Sequence, residues 1–256
     1  LSQLNLKSRG KPAQSDKYLY LFFFLYGLSF GNHLSSVLFL PGFIFLFLMI
    51  YSKSFFEKKR IFLLLSFFIL GISVYLYLPV RSSLNPVLNW GDPSNLSNLK
   101  RHISGWQYRV WMFSESSQAF WESLKNYLHL LYSQFPFYLL PWIILGFVIL
   151  LKKNWKVFIS LLSIFIFTIF YGINYQIPDI DPYFLPSFLV AAVWLGCGIA
   201  WLFALLCRGR HTSRAVAVIL IILFFSLPLI SLFRNYFKQD ESKNYFAYDY
   251  AGNILR

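Results

Sequence analysis

Four apolar blocks, each about twenty residues long, constrain this chain more than any other feature of its sequence. They are 61–80, 157–175, 185–207 and 215–233. An α-helix needs roughly 20 apolar residues to cross the hydrocarbon of a bilayer. Transmembrane β-strands are about ten residues long and alternate apolar with polar side chains, and these blocks do not alternate. The sequence therefore predicts an all-α polytopic membrane protein.

Composition and charge agree with this prediction. The chain is 57% hydrophobic and 13% charged, whereas soluble domains carry about 25% charged residues. Its net charge of +13 would suggest nucleic acid in a soluble protein. Here the Lys and Arg residues flank apolar blocks, which is typical of cytoplasmic loops of membrane proteins. We therefore predict membrane lipid as a partner, no nucleic acid, and, from the lack of Cys/His spacing, no metal.

The apolar stretch 18–51 is too long for one span and is interrupted at Asn32 and His33. We predict two short helices near 18–32 and 36–51, packed as a hairpin. With a further span near 136–151 this makes about seven transmembrane helices. Polar side chains inside an apolar block either hydrogen-bond between helices or line a polar cavity, and the sequence leaves both readings open for His33.

The distribution of basic residues predicts the orientation. The predicted cytoplasmic segments (1–17, 52–60, 152–156, 208–214) hold 14 Lys and Arg, and the longer predicted exoplasmic segments (81–135, 176–184, 234–256) hold 9. Basic residues are enriched in cytoplasmic loops, so the long loop is assigned to the exoplasmic side.

The prediction divides the chain into five regions. They are a cytoplasmic basic segment (1–17), a short hairpin plus one span (18–80), an exoplasmic loop with amphipathic helices (81–135), four transmembrane helices (136–233), and an exoplasmic segment expected to lead into a further C-terminal domain (234–256).

The long loop is expected to contain two helices. Asp92 before Pro93 predicts a helix start, and Gly105 predicts its end. A second helix near 118–132 carries one apolar stripe, formed by Trp121, Leu124, Leu128 and Leu131. Such a helix either lies in the membrane interface or packs on the transmembrane bundle, and both alternatives stay open here.

Candidate site residues gather on the predicted exoplasmic face. Fixed polar groups beside a flat aromatic surface suit a sugar or phosphate, and guanidinium groups bind phosphate bidentately. The candidates are Arg81, Asn85, Asn89, Trp90, Asp92, His102, Tyr108 and Arg109, with Lys100 nearby, His33 from the hairpin and Asp179 from a later loop. Arg81 also fits a snorkelling anchor at a helix end, and Asp181 before Pro182 fits a helix cap.

Several motifs together resemble one family of multi-pass membrane proteins. They are Gly27–His33, Leu40–Gly42, Tyr77–Ser82, Asn85–Pro86, Asn89–Pro93, Ser104–Gly105, Gln107–Tyr108, Asp179–Tyr183, Leu185–Pro186 and Tyr248–Leu255. The family is the transmembrane protein O-mannosyltransferase-like group, whose bacterial members mostly carry a domain-of-unknown-function label. The resemblance runs from about residue 21 to the end of the chain.

The resemblance implies a GT-C-like glycosyltransferase, which takes a sugar, here mannose, from a polyprenyl-phosphate carrier and attaches it to a protein or glycan acceptor outside the membrane. The carrier-linked sugar is a substrate, and no motif for a bound cofactor is present. The family's acidic catalytic motif would lie upstream of Leu1, so the chain is expected to be a fragment. Arg81, helped by Arg109 or Lys100, would hold the leaving phosphate, while Trp90 and Asn89 would line the sugar or acceptor cleft.

The main alternative is a transporter or flippase for a lipid-linked or small polar substrate, because the interrupted hairpin resembles the broken helices of transporters. Against it, the polar residues cluster outside the spans and no second interrupted pair follows. A bacterial inner membrane fits the resemblance better than an endoplasmic reticulum membrane.

The first testable prediction concerns Arg81. We expect Arg81→Ala in the full-length protein to abolish sugar transfer while leaving expression intact, because the leaving phosphate loses its guanidinium partner. The measurement is turnover with a polyprenyl-phosphate sugar, and wild-type turnover in this variant would remove Arg81 from the mechanism.

Overall fold

A computed structural model describes residues 13–50, 57–113, 116–208 and part of the stretch 218–254. The chain separates into two compact units, Leu1–Ile199 and Ala200–Arg256. Ten α-helices are described: α1 (Ala13–Asn32), α2 (Leu40–Ile50), α3 (Lys58–Ile72), α4 (Tyr77–Ser82), α5 (Leu96–Ile103), α6 (Ser117–Gln134), α7 (Leu140–Lys153), α8 (Trp155–Ile173), α9 (Leu185–Arg208) and α10 (Phe246–Ile254). The predicted all-helical architecture is confirmed for this part of the chain, apart from the single β-bridge between Met112 and Tyr175.

The predicted helix pair at the start of the chain is present. α1 ends at Asn32, and extended His33 (φ −155°) caps a 3₁₀ helix, Leu34–Phe39, that leads directly into α2. Aromatic rings join the two helices, since the ring of Phe43 lies 5.0 Å from that of Phe22 and 5.2 Å from that of Tyr26. The polar break at His33 is therefore the turn of the hairpin.

The first unit depends on a very close approach of α1 and α3, the pair with the most extensive packing. A Cβ atom added at Gly27 would collide with the carbonyl oxygen of Phe68, and one added at Gly71 would collide with that of Phe24. Small residues allow helix backbones to approach closely in membranes. These two glycines therefore fix where the hairpin sits against the following span.

Three described helices are long and apolar enough to cross a membrane: Lys58–Ser82, Trp155–Ile173 and Asp181–Leu206. A fourth span results if Ser117–Gln134 and Phe137–Lys153, which meet at a 76° bend, are counted as one. Leu34–Met49 is apolar but shorter. The structure thus supports a membrane protein with three or four spans among its described residues. The count of seven is not confirmed, and most of the predicted span 215–233 lies outside the described residues.

The loop helix α6 packs on the bundle, with Tyr127 buried against Phe184 and Ile173. The predicted stripe is buried only in part, since Leu131 packs against this cluster. Trp121 and Leu128 are 58% and 53% exposed, because Phe120 and Tyr127 turn a neighbouring face of the helix inward.

The start of α5 also differs from the prediction. Asn95, and not Asp92, caps this helix by accepting a hydrogen bond from the amide of Asn98 at 2.9 Å. Asp92 instead accepts side-chain hydrogen bonds within the loop. The predicted end is confirmed, since Gly105 follows the helix with a left-handed φ of 60°. Asp181 is not a side-chain cap either, because it is the first residue of the 3₁₀ helix Asp181–Phe184, which lacks such a hydrogen bond.

The close contact between α1 and α3 generates a stability prediction. We expect Gly71→Leu to destabilise the protein by about 2 kcal/mol or more, since overpacking typically costs about 1–3 kcal/mol and here backbone atoms would have to move. Thermal unfolding in detergent measures the effect. Gly196→Leu is the matched control, because a Cβ at this helical glycine meets no atom within 4 Å. Equal melting temperatures for the two variants would contradict the packing argument.

Candidate functional site

A hydrogen-bond network holds the loop that follows α4. The buried hydroxyl of Ser82 donates to Asp92 Oδ1 at 3.0 Å. Asn89 Nδ2 donates to Ser82 Oγ at 2.9 Å and to the same Asp92 oxygen at 3.0 Å. The pKa of the Asp92 carboxyl is lowered, mainly by a side-chain hydrogen bond from Ser94 and secondly by the one from Ser82. Asp92 and Asn89, both predicted site residues, therefore organise the loop.

The same loop carries a strained backbone. Asn85 and Asp92 have positive φ angles of 48° and 37°, and Gly91 has a φ of 71°. Positive φ is uncommon for residues other than glycine, and such strain concentrates at functional sites. At Gly91 the missing side chain also makes room, because a Cβ there would lie 2.9 Å from Nδ1 of His102.

Backbone hydrogen bonds fasten the end of this loop to the segment after α8. Phe113 N donates to Asn174 O at 2.9 Å, and Gln176 N donates to Trp111 O at 3.0 Å. The side chain of Gln176 extends the junction by donating to Ser123 Oγ of α6 at 2.8 Å. Three stretches of chain that are far apart in sequence therefore meet at one place.

The junction closes a cavity of about 430 Å³ next to the hairpin turn. Five tyrosines from different parts of the chain line it: Tyr75, Tyr108, Tyr171, Tyr175 and Tyr183. We call it the tyrosine cavity. His33, His102 and Arg109 line it as well. The pKa of Tyr175 is raised to about 12, mainly by burial and to a smaller extent by the neighbouring tyrosines. This phenol therefore stays a neutral hydrogen-bonding group across the physiological pH range.

His33 enters the tyrosine cavity from the hairpin turn. Its ring stands edge-on to that of Tyr183, with centroids 4.9 Å apart. Its Nδ1 accepts the amide hydrogen of Ser35 at 3.1 Å and lies 2.8 Å from Ser35 Oγ. The sequence left open whether His33 forms a hydrogen bond between helices or lines a cavity. The structure supports the second alternative, since His33 lines the tyrosine cavity.

A second cavity of about 340 Å³ lies on the loop side of His102. Its lining includes the indoles of Trp90 and Trp106 together with Asn98, Arg101, His102 and Gln107. We call it the indole cavity. The guanidinium of Arg109 lies 4.6 Å from the ring centroid of Trp106, and that of Arg101 lies 5.5 Å from it. These are cation–π distances, so Trp106 orients two arginines.

The predicted site residues divide among these features. The tyrosine cavity brings together His33, His102, Tyr108 and Arg109, while Trp90 lies in the indole cavity. Arg81 and Asn85 are exposed and line neither cavity. Asp179 is exposed in a turn before the 3₁₀ helix at the start of α9. Among the described residues, no group of three metal-ligating side chains exists.

Sequence reasoning missed most of the aromatic lining. Tyr75 and Tyr171 lie inside apolar blocks, where a tyrosine is typical of the aromatic belt at the membrane–water interface. The available signal was the spacing of Tyr171 and Tyr175, which places both near the end of one span. Trp106, which follows Gly105 directly, was not among the predicted site residues.

The Ser82–Asn89–Asp92 network generates a prediction about loop order. We expect Asn89→Ala to speed protease cleavage within 83–95 several-fold at neutral pH, because the variant loses both amide donors and leaves Ser82 with one partner fewer. Time-resolved limited proteolysis of the purified protein measures the effect. Asn126→Ala, on the exposed side of α6, is the control, and unchanged cleavage in Asn89→Ala would show that the network does not order the loop.

Comparison with known proteins identifies one stretch of the chain. Residues 2–59 match the family described as Protein O-mannosyl-transferase TMEM260 N-terminal domain. This stretch includes α1, the turn at His33 and α2. No curated protein and no solved structure matches the chain. The match over residues 2–59 supports an O-mannosyltransferase-like family and confirms the predicted resemblance to that family.

Proposed function

We propose that this chain is part of the membrane portion of a GT-C type glycosyltransferase. The enzyme takes a sugar, mannose by resemblance, from a polyprenyl-phosphate carrier and attaches it to a protein or glycan acceptor on the exoplasmic side. In this proposal the tyrosine cavity binds the sugar-phosphate head of the carrier.

One observation carries the proposal: the hairpin that matches the O-mannosyltransferase family contributes His33 to the same cavity as Tyr108 and Arg109 of the loop. The cavity volume of about 430 Å³ falls in the range of small-molecule sites, about 300–1,000 Å³. Tyrosine hydroxyls and imidazole groups donate and accept hydrogen bonds, which suits the hydroxyls of a sugar. The cavity therefore has the size and the chemistry for one sugar ring.

Arg109 is the group assigned to the phosphate. It lines the tyrosine cavity, and its guanidinium lies 4.6 Å from the Trp106 ring centroid. A guanidinium that is held in place loses less conformational freedom when it binds, and its fork geometry matches phosphate oxygens. Arg81 and Lys100 remain proposed helpers for a carrier that extends away from the cavity along the exposed end of α4.

The reaction is a direct displacement at the anomeric carbon. The acceptor oxygen forms a bond to that carbon, the bond from carbon to phosphate oxygen breaks, and the polyprenyl phosphate leaves with the electron pair. A carboxylate takes the proton of the acceptor hydroxyl. Among the described residues that line the tyrosine cavity none is Asp or Glu, so we assign the base to another part of the protein.

The assignment of Arg109 is tested by its substitution. We expect Arg109→Ala to lower kcat/KM for the carrier-linked sugar about 10- to 100-fold, since a hydrogen bond to a charged group contributes about 1.5–3 kcal/mol. Arg109→Lys should recover only part of this loss, because lysine lacks the bidentate fork. The measurement is transfer of a radiolabelled sugar from polyprenyl phosphate by the purified full-length protein in detergent.

Lys125→Ala is the control, because Lys125 is an exposed cation of α6 that lines neither cavity. Wild-type kinetics in Arg109→Ala would contradict the phosphate assignment. Absence of transfer, combined with carrier translocation across reconstituted vesicles that Arg109→Ala abolishes, would instead favour the transporter alternative.

A further inference from the structure

The indole cavity is separate from the tyrosine cavity but adjacent to it. The ring of His102 lines both and is the side chain that the two linings share. The indole cavity is thus a second pocket at van der Waals range from the proposed sugar site, and the proposed function does not yet use it.

The lining of the indole cavity has a particular chemical character. Trp90 and Trp106 present ring surfaces, with 75% and 50% of their side chains exposed. Asn98, Arg101, His102 and Gln107 supply polar groups. None of the described residues that line it is aliphatic. A pyranose ring fits this combination, because it offers a C–H face to an indole and hydroxyls to the polar groups.

The cavity is also preorganised. Asn98 Nδ2 donates to the carbonyl oxygen of Asp92 at 2.9 Å, which directs the side chain and leaves its Oδ1 as an acceptor. Gly91, which also lines the cavity, has a φ of 71°, and the adjacent Asp92 has a strained φ of 37°. A site whose groups are fixed before binding loses less entropy on association, and strained backbone persists where the surroundings determine it.

We propose that the indole cavity is a saccharide subsite for the acceptor, so that the enzyme adds its sugar to an acceptor that already carries a hexopyranose. This inference rests on the proposed function. The carrier-linked sugar occupies the tyrosine cavity and the acceptor saccharide occupies the indole cavity, on the other side of His102. A hydroxyl of the acceptor saccharide loses its proton to the catalytic carboxylate and forms the new glycosidic bond, while polyprenyl phosphate leaves.

Binding of a free saccharide tests the subsite without relying on transfer. The probe is methyl α-mannopyranoside, observed by saturation-transfer NMR with the protein in detergent and no carrier present. We expect binding that weakens about tenfold in Trp90→Ala, as is typical for loss of an aromatic anchor, and that Trp90→Phe largely retains. Trp121→Ala is the matched control, because Trp121 is a similarly exposed tryptophan on α6 outside both cavities.

Kinetics provide the second readout. In Trp90→Ala we expect the KM for a mannoside acceptor to rise about tenfold while the KM for the carrier-linked sugar stays unchanged. A Gln107→Ala variant repeats the measurement without altering an aromatic residue, in case Trp90→Ala lowers the melting temperature. Equal increases in both KM values would indicate a structural role for Trp90 and would overturn the subsite.

The outcomes also separate this inference from the proposed function. Transfer to an unmodified peptide, with no saccharide binding that depends on Trp90, would overturn the subsite and leave the transferase intact. Peptide binding that depends on Trp90 would overturn it as well. Binding of methyl α-mannopyranoside that depends on Trp90, in a full-length protein without transfer activity, would support saccharide binding in the indole cavity but would reject both the transferase and the acceptor role of the cavity.

Discussion

Two backbone hydrogen bonds, between Phe113 and Asn174 and between Trp111 and Gln176, connect the long loop to the bundle. They act together with α6, which belongs to the same loop and packs on the bundle through Tyr127. Backbone pairing of this kind is insensitive to side-chain identity, so it fixes the position of the loop while leaving the adjacent side chains free to serve binding. Both cavities depend on it, because His102 and Arg109 belong to the fastened loop.

The other wall of the tyrosine cavity depends on close helix packing. Gly27 and Gly71 bring α1 against α3, and this places the hairpin turn with His33 beside Tyr75 of the following 3₁₀ helix, Ser73–Leu76. On the opposite end of the bundle, Lys156 Nζ donates to the carbonyl oxygen of Met49 at 2.7 Å. The hairpin is therefore held at both ends, by a polar contact at one and by the cavity wall at the other.

The sequence predicted the all-helical architecture and the spans near 61–80, 157–175 and 185–207, because apolar length is a strong signal for spans. The count of seven is not confirmed. The sequence also located the turn at His33 and the helix end at Gly105. It failed at Asp92, where an Asp-Pro pair resembles a helix start, because three side-chain hydrogen bonds from the loop and α4 compete for that carboxylate. It was only partly right about the buried face of α6, where Leu131 of the predicted stripe packs on the bundle but the fully buried residue is Tyr127, which packs on Phe184.

The candidate site was predicted only in part, for a related reason. His33, Trp90, His102, Tyr108 and Arg109 stand out as polar or aromatic residues near turns, and all five line a cavity. The tyrosines of the spans do not stand out, because their role arises from the meeting of distant segments. Asn89 was predicted as a site residue because of its neighbours in the sequence. Both of its amide hydrogens are instead donated to Ser82 and Asp92, which hold the loop.

The two cavities differ in how they are encoded. The indole cavity is built from one continuous stretch, Trp90–Gln107, whereas the tyrosine cavity draws on the hairpin, the long loop and the ends of three spans. A contiguous stretch of eighteen residues can be exchanged as a cassette between related proteins. The tyrosine cavity cannot be exchanged in this way, because separate segments of the chain form it. Specificity on the loop side of His102 can therefore diverge in evolution, or be transplanted by engineering, provided that the exchanged stretch keeps His102–Gly105, which also line the tyrosine cavity.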